Sequence, residues 1–340
     1  MASVAWLVSN VKTNEHEELW NTELASSRMR AGVCISGCLK AGLPVLPLNY
    51  RDAGHDPDLV FMAKYVPDSN TAQFLDDSGA RWAFWLEKVK RLHARGKHLV
   101  IDYTDNHFTN PNIVGDFYRT IKPMVTGLVV PSTRMQRHLE GNWSGPLEII
   151  PEPVEVAMQP TREYKGGEKI ALWFGHNSNL PYLFEFMRTG MKEAPPNRLV
   201  ILTNHILKDA VQAAVNQGPK GLQVTLAKWS VETMLKAAAA CHYAIVPSNT
   251  EDDRKNGASP GRLLTSLAMG LPVVATPLES YQPFSTHFAS IGTPQAKALM
   301  ERPQDFADRI APAQTLIRER FTVEAIGAQW ASYARRLLGA

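Results

Sequence analysis

Short apolar runs alternate with amphipathic stretches along most of the chain. In the first half the apolar runs are separated by stretches whose apolar positions recur every three or four residues, the pattern of a half-buried helix. The runs predict strands at 4–8, 45–47, 59–62, 99–102, 127–130 and 147–150, with helices at 28–41 and 81–94. Strands separated by helices pair in parallel and are buried on both faces. The first half therefore predicts a doubly wound α/β domain.

The same alternation begins again in the second half. It predicts strands at 170–174, 198–202, 222–226, 243–246 and 272–275, with helices at 179–189, 231–240 and 261–269. Between the two series lie Pro151-Glu152-Pro153 and a polar stretch with proline and glycine at 159–167, which indicates a linker. After about residue 294 the pattern predicts helices, the last at 322–338. The expected organisation is a first domain at 1–155, a second at 156–315 and a C-terminal segment at 316–340.

Composition agrees with two folded domains and excludes several classes of protein. The chain has 340 residues, of which 44% are hydrophobic and 20% charged, so two cores can form. The formal charge of +3 is too balanced for a dedicated nucleic-acid binder, and nucleic acid is not expected as a partner. No apolar run is long enough to cross a bilayer, and the N-terminus lacks the features of a signal peptide. A cytoplasmic protein is therefore expected.

Several familiar motifs are missing. No G-x-G-x-x-G follows the first strand of either half, which argues against a nicotinamide or flavin enzyme, and there is no G-x-x-x-x-G-K-[ST] loop. The chain has three cysteines, and no further ligands stand near Cys34 and Cys38, so a metal site is not expected. Asp56-Pro57-Asp58 has the D-x-D pattern of metal-dependent sugar transferases, but proline among turn formers favours a solvated loop.

One segment carries candidate chemistry: a strand at 243–246, a polar loop and a helix that follows Ser259-Pro260. Serine as the N-cap with proline at the first helical position is a strong start signal. A helix that starts at the carboxyl end of a parallel strand offers free N–H groups and the positive end of its dipole. Gly261 lets a ligand approach the backbone, and Arg262 adds a planar cation. We expect a phosphate or diphosphate here; the alternative is an ordinary capped helix beside a solvated loop.

This segment resembles the donor site of GT-B glycosyltransferases, especially the large family-4-like group. From Arg262 the helix reads R-L-L-x-x-L-A-M-G-L-P-V-V-A-T, similar to the family's L-E-A-M-A and G-x-P-V-V-A. Shorter matches follow in the same order along the chain, at 26–30, 100–106, 129–132, 149–154 and 172–175. The resemblance covers nearly the whole chain and implies two Rossmann-like domains that face each other across a cleft. It also implies a C-terminal helix that packs back on the N-terminal domain.

The chain departs from the family at the donor site. Members carry a glutamate pair, E-x7-E, on the donor sugar and the ribose, but the matching positions here are Gly257 and Thr265. Members also often carry an arginine and a lysine after the first donor-domain strand, where this chain reads G-H-N-S-N from Gly175. A diphosphate leaving group needs its developing charge stabilised. The cations left to do so are Arg262, Arg254 and Lys255. The nucleotide and the stereochemical course stay open.

The resemblance implies roles for three sets of residues. The donor-binding set is His176, Asn177, Thr203, Asn204, Lys228, Trp229, Ser248, Arg254, Lys255, Ser259, Pro260, Gly261 and Thr265. Within it, Lys228 and Trp229 stand where relatives seat the base. Arg262 would stabilise the leaving group, and Asp105 or His107 would be the general base if the enzyme inverts. The acceptor-binding set is Arg28 and Arg30. Surface charges on a helix, or for Asp105 a turn that ends its strand, are the alternatives.

We expect a metal-independent glycosyltransferase, with no cofactor, that moves a sugar from a nucleotide-sugar donor to a hydroxyl of a glycan, lipid-linked or protein acceptor. Synthesis of a bacterial-type surface glycan is the expected setting. Two alternatives stay open: a non-catalytic nucleotide-sugar-binding module and a sugar-nucleotide epimerase of the same fold. The stretch 82–95 mixes aromatic and basic residues, and a peripheral contact with the inner face of a membrane is a further alternative. A helix packed on its own sheet is favoured.

Overall fold

The computed structural model describes residues 3–8, 19, 27–49, 52, 54–65, 75–252 and 257–339, without the side chains of 75–80. The chain divides into two compact units. The first consists of Met1–Pro153 together with Gly257–Ser259 and Phe321–Ala340, and the second of Val154–Asn256 and Pro260–Arg320.

Each unit contains a six-stranded parallel sheet. The first sheet consists of β1 (Val4–Val8), β2 (Val45–Asn49), β3 (Leu59–Met62), β4 (His98–Asp102), β5 (Gly127–Val130) and β6 (Leu147–Ile149), in the order β2-β1-β3-β4-β5-β6. The second consists of β7 (Ile170–Phe174), β8 (Arg198–Thr203), β9 (Gln223–Lys228), β10 (Tyr243–Val246), β11 (Val273–Ala275) and β12 (Ala289–Ser290), in the order β12-β11-β10-β7-β8-β9. The predicted fold class, an α/β protein with two doubly wound Rossmann-like domains, is confirmed.

Eight of the described helices lie between successive strands, as parallel pairing requires. They are α1 (Cys34–Lys40), α2 (Leu75–Ala94), α3 (Ile113–Ile121), α4 (Thr133–His138), α5 (Leu180–Arg188), α6 (Lys208–Gln217), α7 (Val231–Ala240) and α8 (Gly261–Ala268). Three more helices follow β12: α9 (Pro294–Glu301), α10 (Ile310–Arg320) and α11 (Val323–Leu338). A π-helical segment, Arg28–Val33, leads into α1. Shorter 3-10 segments are Lys122–Met124, Asn177–Asn179, Gly190–Glu193, Glu279–Phe284 and Pro303–Arg309.

The observed strands start and end within two residues of the predicted ones. The strand β12 was not predicted because two residues are too few to show a pattern. Three helices, α3, α4 and α6, were not predicted either. Two of them have clear caps in the structure: Asn112 accepts hydrogen bonds from the N–H groups of Val114 and Gly115 at the start of α3, and Ser132 caps α4.

The helix α2 packs its apolar face on its own sheet. The side chains of Trp85, Val89 and Leu92 are completely buried, as the spacing of these positions predicts. The buried ammonium of Lys88 donates a hydrogen bond to the carbonyl of Asp52. Much of the aromatic and basic stretch at 82–95 therefore serves the core of the first unit.

The last helix, α11, packs on the first unit, as the family resemblance implied. It crosses α1 where Gly37 and Gly327 meet, and a Cβ added to Gly37 would lie 2.8 Å from the Cα of Gly327. Trp330 of α11 enters the core beside Trp6 of β1, with 4.6 Å between the ring centroids. The C-terminus of the chain thus completes the core that its N-terminus begins.

Candidate functional site

Two charged side chains meet at the carboxyl edge of the first sheet. Lys64 follows β3, and Asp105 follows the neighbouring strand β4. The ammonium of Lys64 donates a hydrogen bond to the carboxylate of Asp105, and the two side chains are 30% and 34% exposed. An accessible carboxylate with a cation beside it can accept a proton from a bound hydroxyl group.

The turn that carries Asp105 is fixed by hydrogen bonds. The hydroxyl of Tyr103 accepts a hydrogen bond of 2.7 Å from the N–H of Phe108. One guanidinium nitrogen of Arg119, on α3, donates to the carbonyls of Phe108 and Asn110 at 2.7 and 2.9 Å. These bonds hold both ends of the turn and give Asp105 a defined position.

His107 lies beneath this carboxylate and is closed to ligands. Its side chain is 7% exposed, and its ring stacks on Tyr118 with 4.7 Å between centroids and 1° between planes. The Nε2 atom is 3.8 Å from a carboxylate oxygen of Asp105 and has no hydrogen-bond partner among the described residues. Burial lowers the pKa of His107 to about 4, and the nearby charge of Asp105 raises it only in part. The ring is neutral at pH 7, so Asp105 is the accessible base of the two.

The pKa of His107 predicts a pH-dependent stability. The unfolded chain takes up a proton near the ordinary value of 6.5, whereas the folded protein takes it up only near 4. The free energy of unfolding therefore falls as the pH is lowered, and His107 should account for about 2 kcal/mol between pH 7 and pH 4.5. Urea unfolding of the wild type and of His107→Phe, which keeps a ring against Tyr118, measures this. If the free energy of unfolding falls by the same amount in both proteins between pH 7 and pH 4.5, His107 is not the cause of the pH dependence.

The two predicted acceptor contacts, Arg28 and Arg30, are buried. Arg30 is 1% exposed, donates to the carboxylate of Asp102 at 3.0 Å and to the carbonyl of Ile150 at 2.8 Å, and lies over the ring of Trp330. Burial raises the pKa of Asp102, while Arg30 opposes that rise. The prediction that Arg30 contacts an acceptor is wrong, because its guanidinium forms an internal ion pair with Asp102.

The second sheet has a topological switch point between β7 and β10. From β7 the chain adds β8 and β9 on one side, and then crosses to add β10, β11 and β12 on the other. In open α/β sheets the connections leave such neighbouring strands in opposite directions, which opens a crevice at their carboxyl ends. Most of the predicted donor-binding residues follow strands at this edge.

The loop after β7 is shaped by its neighbours. Asn204, which follows β8, accepts a hydrogen bond of 2.8 Å from the N–H of Asn177, and its side-chain oxygen lies 3.3 Å from the hydroxyl of Thr203. His176 accepts a hydrogen bond of 3.2 Å from the N–H of Ser178 through Nδ1. In the neutral ring the proton is therefore on Nε2. His176 is exposed, so its ring lies where a ligand can reach it.

The remaining predicted donor residues are placed as follows. The N–H of Trp229 donates to the carbonyl of Thr203, so Lys228 and Trp229 lie at the same edge of the sheet. Thr265, on α8, is 5% exposed. Arg254 and Lys255 lie outside the described residues.

The start of α8 differs from the prediction. The helix begins at Gly261, with Pro260 at the N-cap, and no side chain of the described residues caps it. The hydroxyl of Ser259 instead accepts a hydrogen bond of 3.3 Å from the N–H of Glu152. The prediction that Ser259 is the N-cap is therefore wrong, because its hydroxyl is hydrogen-bonded to Glu152 of the first unit. Within the described part of the chain, the first N–H groups of α8 have no side-chain cap, so a ligand could bind them.

Four buried polar atoms around the switch point have no hydrogen-bond partner among the described residues. They are Oδ1 of Asn177, Oδ1 of Asn179, Oγ of Ser248 and Nη1 of Arg262. They follow β7 and β10 or open α8. The Nη1 atom of Arg262 also lies 3.6 Å from the point where a Cβ on Gly175 would stand, so the guanidinium reaches from α8 to the loop after β7. Unpaired buried polar atoms are costly unless a ligand or water satisfies them.

Lys64 was not among the site residues predicted from the sequence. A lysine after a strand is common, and its meaning depends on the neighbouring strand that carries Asp105. The order of strands was not predicted, so the pair was not predicted either. Among the described residues there is no group of three side chains that could hold a metal ion. Likewise, none of the described helices has the length and apolar character to cross a membrane.

No protein-family profile matches the sequence, and no curated protein matches it. Solved structures do match. HepE of Anabaena, in complex with UDP and glucose, has a TM-score of 0.61 at 13% sequence identity, with 100% of each chain covered. Sucrose-phosphate synthase of Thermosynechococcus elongatus has a TM-score of 0.60 at 14% identity, also with 100% of each chain covered.

TarM matches with a TM-score of 0.52 at 14% identity, over 74% of this chain. The chain spans 58% of TarM and 50% of a mutant of S. aureus TarM in complex with fondaparinux, α-GlcNAc-glycerol and UDP. At such low identity these similarities establish the fold. The chain has the two-domain GT-B fold of glycosyltransferases.

Proposed function

We propose that this chain is a glycosyltransferase that moves a sugar from a nucleoside diphosphate sugar to a hydroxyl group. The observation that carries the proposal is the set of four buried polar atoms at the switch point of the second sheet that have no hydrogen-bond partner in the described part of the chain. A cation, two amides and a hydroxyl suit a ligand that has both phosphate oxygens and sugar hydroxyls. The carboxyl end of a switch point is also where open α/β sheets bind nucleotides.

The second unit binds the donor in this proposal. The diphosphate lies at the start of α8, where the N–H groups of the first turn and the positive end of the helix dipole attract an anion. Arg262 provides the positive charge. The base lies near Lys228 and Trp229. UDP is the first nucleotide to test, because HepE and TarM have both been seen with UDP.

The first unit binds the acceptor, and Asp105 is the base. The carboxylate of Asp105 takes the proton of the acceptor hydroxyl as that oxygen forms a bond to the anomeric carbon of the sugar. The bond from the anomeric carbon to the phosphate oxygen breaks, and the nucleoside diphosphate leaves with the electron pair. Arg262 and the start of α8 stabilise the charge that develops on the diphosphate. A direct displacement of this kind inverts the anomeric configuration.

The test combines binding and product analysis. Titration calorimetry with UDP, GDP, dTDP and CMP should show binding of one nucleotide to the wild type. The corresponding nucleotide sugar, incubated with a panel of hydroxyl acceptors, should give a glycoside whose anomeric configuration is inverted in the NMR spectrum. Failure to bind any nucleotide contradicts the proposal. Binding without any turnover would favour a non-catalytic binding module, and a product with retained configuration would remove Asp105 as the base.

We further propose that the transfer needs no metal and no cofactor, because Arg262 and the start of α8 supply the positive charge. Activity should persist in excess EDTA. The candidate acceptors are a glycan, a lipid-linked sugar and a protein, in the synthesis of a surface glycan. Phe84, which is 48% exposed on α2, is the side chain to substitute in a vesicle-binding test of contact with a membrane.

A further inference from the structure

Lys64 lies beside Asp105, the proposed base of the first unit. It leaves β3 at the carboxyl edge of the sheet, and its ammonium contacts the carboxylate of Asp105 beyond β4. Because β3 and β4 are paired neighbours, the two side chains start from adjacent strand ends. Both are partly open to solvent, so the pair lies where a ligand can reach it.

Several charged and titratable groups of the described residues surround Asp105. Those that interact electrostatically with this carboxylate include Lys64, His107, Tyr103, Tyr118 and Glu152. Burial raises the pKa of both tyrosines, so they are neutral in the working range of an enzyme, and His107 is neutral as well. Glu152 adds no positive charge. Among these described neighbours, Lys64 therefore provides the positive charge that pairs with Asp105.

We propose that Lys64 is a positioning residue for the transfer reaction: it holds Asp105 ionised and aimed, so that Asp105 takes the proton of the acceptor. This inference rests on the proposed function. In the absence of Lys64 the carboxylate would lose a cation that favours its charged form, and would be protonated at a higher pH. The hydrogen bond from Lys64 that helps to orient the carboxylate would also be lost.

The ion pair contributes little to folding, which makes it suitable for mutation. Partly exposed pairs gain little stability, because water screens their charges and two flexible side chains must be ordered. Removal of Lys64 should therefore leave the first unit folded. A change in the reaction can then be assigned to the site.

The same two strands provide a matched control at their other ends. Lys97 precedes β4 and pairs with Asp58, which precedes β3, at 2.9 Å. The side chains are 21% and 42% exposed, close to those of the first pair. This second pair lies at the amino edge of the sheet, away from Asp105. Lys97→Met removes a similar ion pair from the same strands without touching the proposed site.

The experiment compares Lys64→Met, Lys64→Arg and Lys97→Met with the wild type. We expect Lys64→Met to lower kcat about tenfold, with the KM for the donor unchanged, because general-base catalysis alone contributes 10²–10⁴-fold. The acidic limb of its kcat profile should move to higher pH by roughly one unit. Lys64→Arg should recover most of the activity and the position of the limb. Lys97→Met should behave as the wild type.

Each outcome decides the inference. An unmoved acidic limb in Lys64→Met, or an equal loss of kcat in Lys97→Met, would overturn the role of Lys64 while leaving the proposed transferase intact. If kcat is as low in Lys64→Arg as in Lys64→Met, the role of Lys64 is also overturned, since that role requires only a cation. If the wild type transfers no sugar from any nucleotide donor, both the inference and the proposed function are wrong.

Discussion

Arg262→Ala should lower kcat about a hundredfold or more and weaken nucleotide binding about tenfold. The guanidinium lies at the start of α8, beside Gly175, and its Nη1 atom has no hydrogen-bond partner among the described residues. Such a group stabilises the leaving diphosphate more than the bound donor, because the charge grows as the bond breaks. The larger effect is therefore expected on kcat. Steady-state kinetics and titration calorimetry with the donor nucleotide measure the two effects.

Two further variants separate chemistry from folding. Arg262→Lys keeps the charge but loses the planar fork, and should recover only part of the activity. Arg188→Ala removes an exposed arginine that pairs with Glu185 on α5 of the same unit, and should leave both kcat and binding unchanged. Circular dichroism checks that all three proteins are folded. Wild-type kinetics in folded Arg262→Ala would rule out the diphosphate site.

Gly37→Ala should destabilise the first unit by about 3 kcal/mol or more. The new Cβ would lie 2.3 Å from the carbonyl oxygen of Val323 and 2.8 Å from the Cα of Gly327. Both obstacles are backbone atoms, so no side chain can rotate to make room, and α11 would have to move away from α1. Overpacking of a rigid contact commonly costs about 1–3 kcal/mol, and this contact has no flexible partner. Chemical denaturation measures the loss.

A second glycine variant serves as the control. A Cβ on Gly54 would meet no atom of the described residues within 4 Å, and its φ is not in the left-handed region. Gly54→Ala should therefore change the free energy of unfolding by about 0.5 kcal/mol at most. If Gly37→Ala is equally mild, the two helices must be able to separate without losing their packing. In that case the close crossing is not what holds α11 in place.

The sequence predicts the sheets well because each strand carries its own signal. The strand β3 is four consecutive buried apolar residues, and its predicted and observed bounds coincide. Parallel strands that are covered on both faces have apolar residues at consecutive positions, so they are easy to recognise in the sequence. Short helices such as α4 span fewer than two turns. In so few residues the recurrence of apolar positions every three or four residues cannot be recognised. Their capping residues, such as Ser132, are visible only once the strands around them are placed.

The site is harder to predict because its contacts join distant parts of the chain. Ser259 has the sequence of an N-cap, yet its hydroxyl bonds to the N–H of Glu152, which is more than a hundred residues away. Arg30 follows a helical pattern and could have faced solvent, but Asp102 holds it in the core. In both cases a long-range partner outweighs the local preference. Local sequence patterns contain no information about that partner.

The position of α11 also affects how the protein folds during synthesis. The core of the first unit contains Trp6 near the start of the chain and Trp330 near its end. The ribosome must make the whole second unit before Trp330 becomes available. Until then the face of the first sheet that α11 covers stays exposed, which favours aggregation or binding by chaperones. We therefore expect the core of the first unit to be completed only after the second unit has been synthesised.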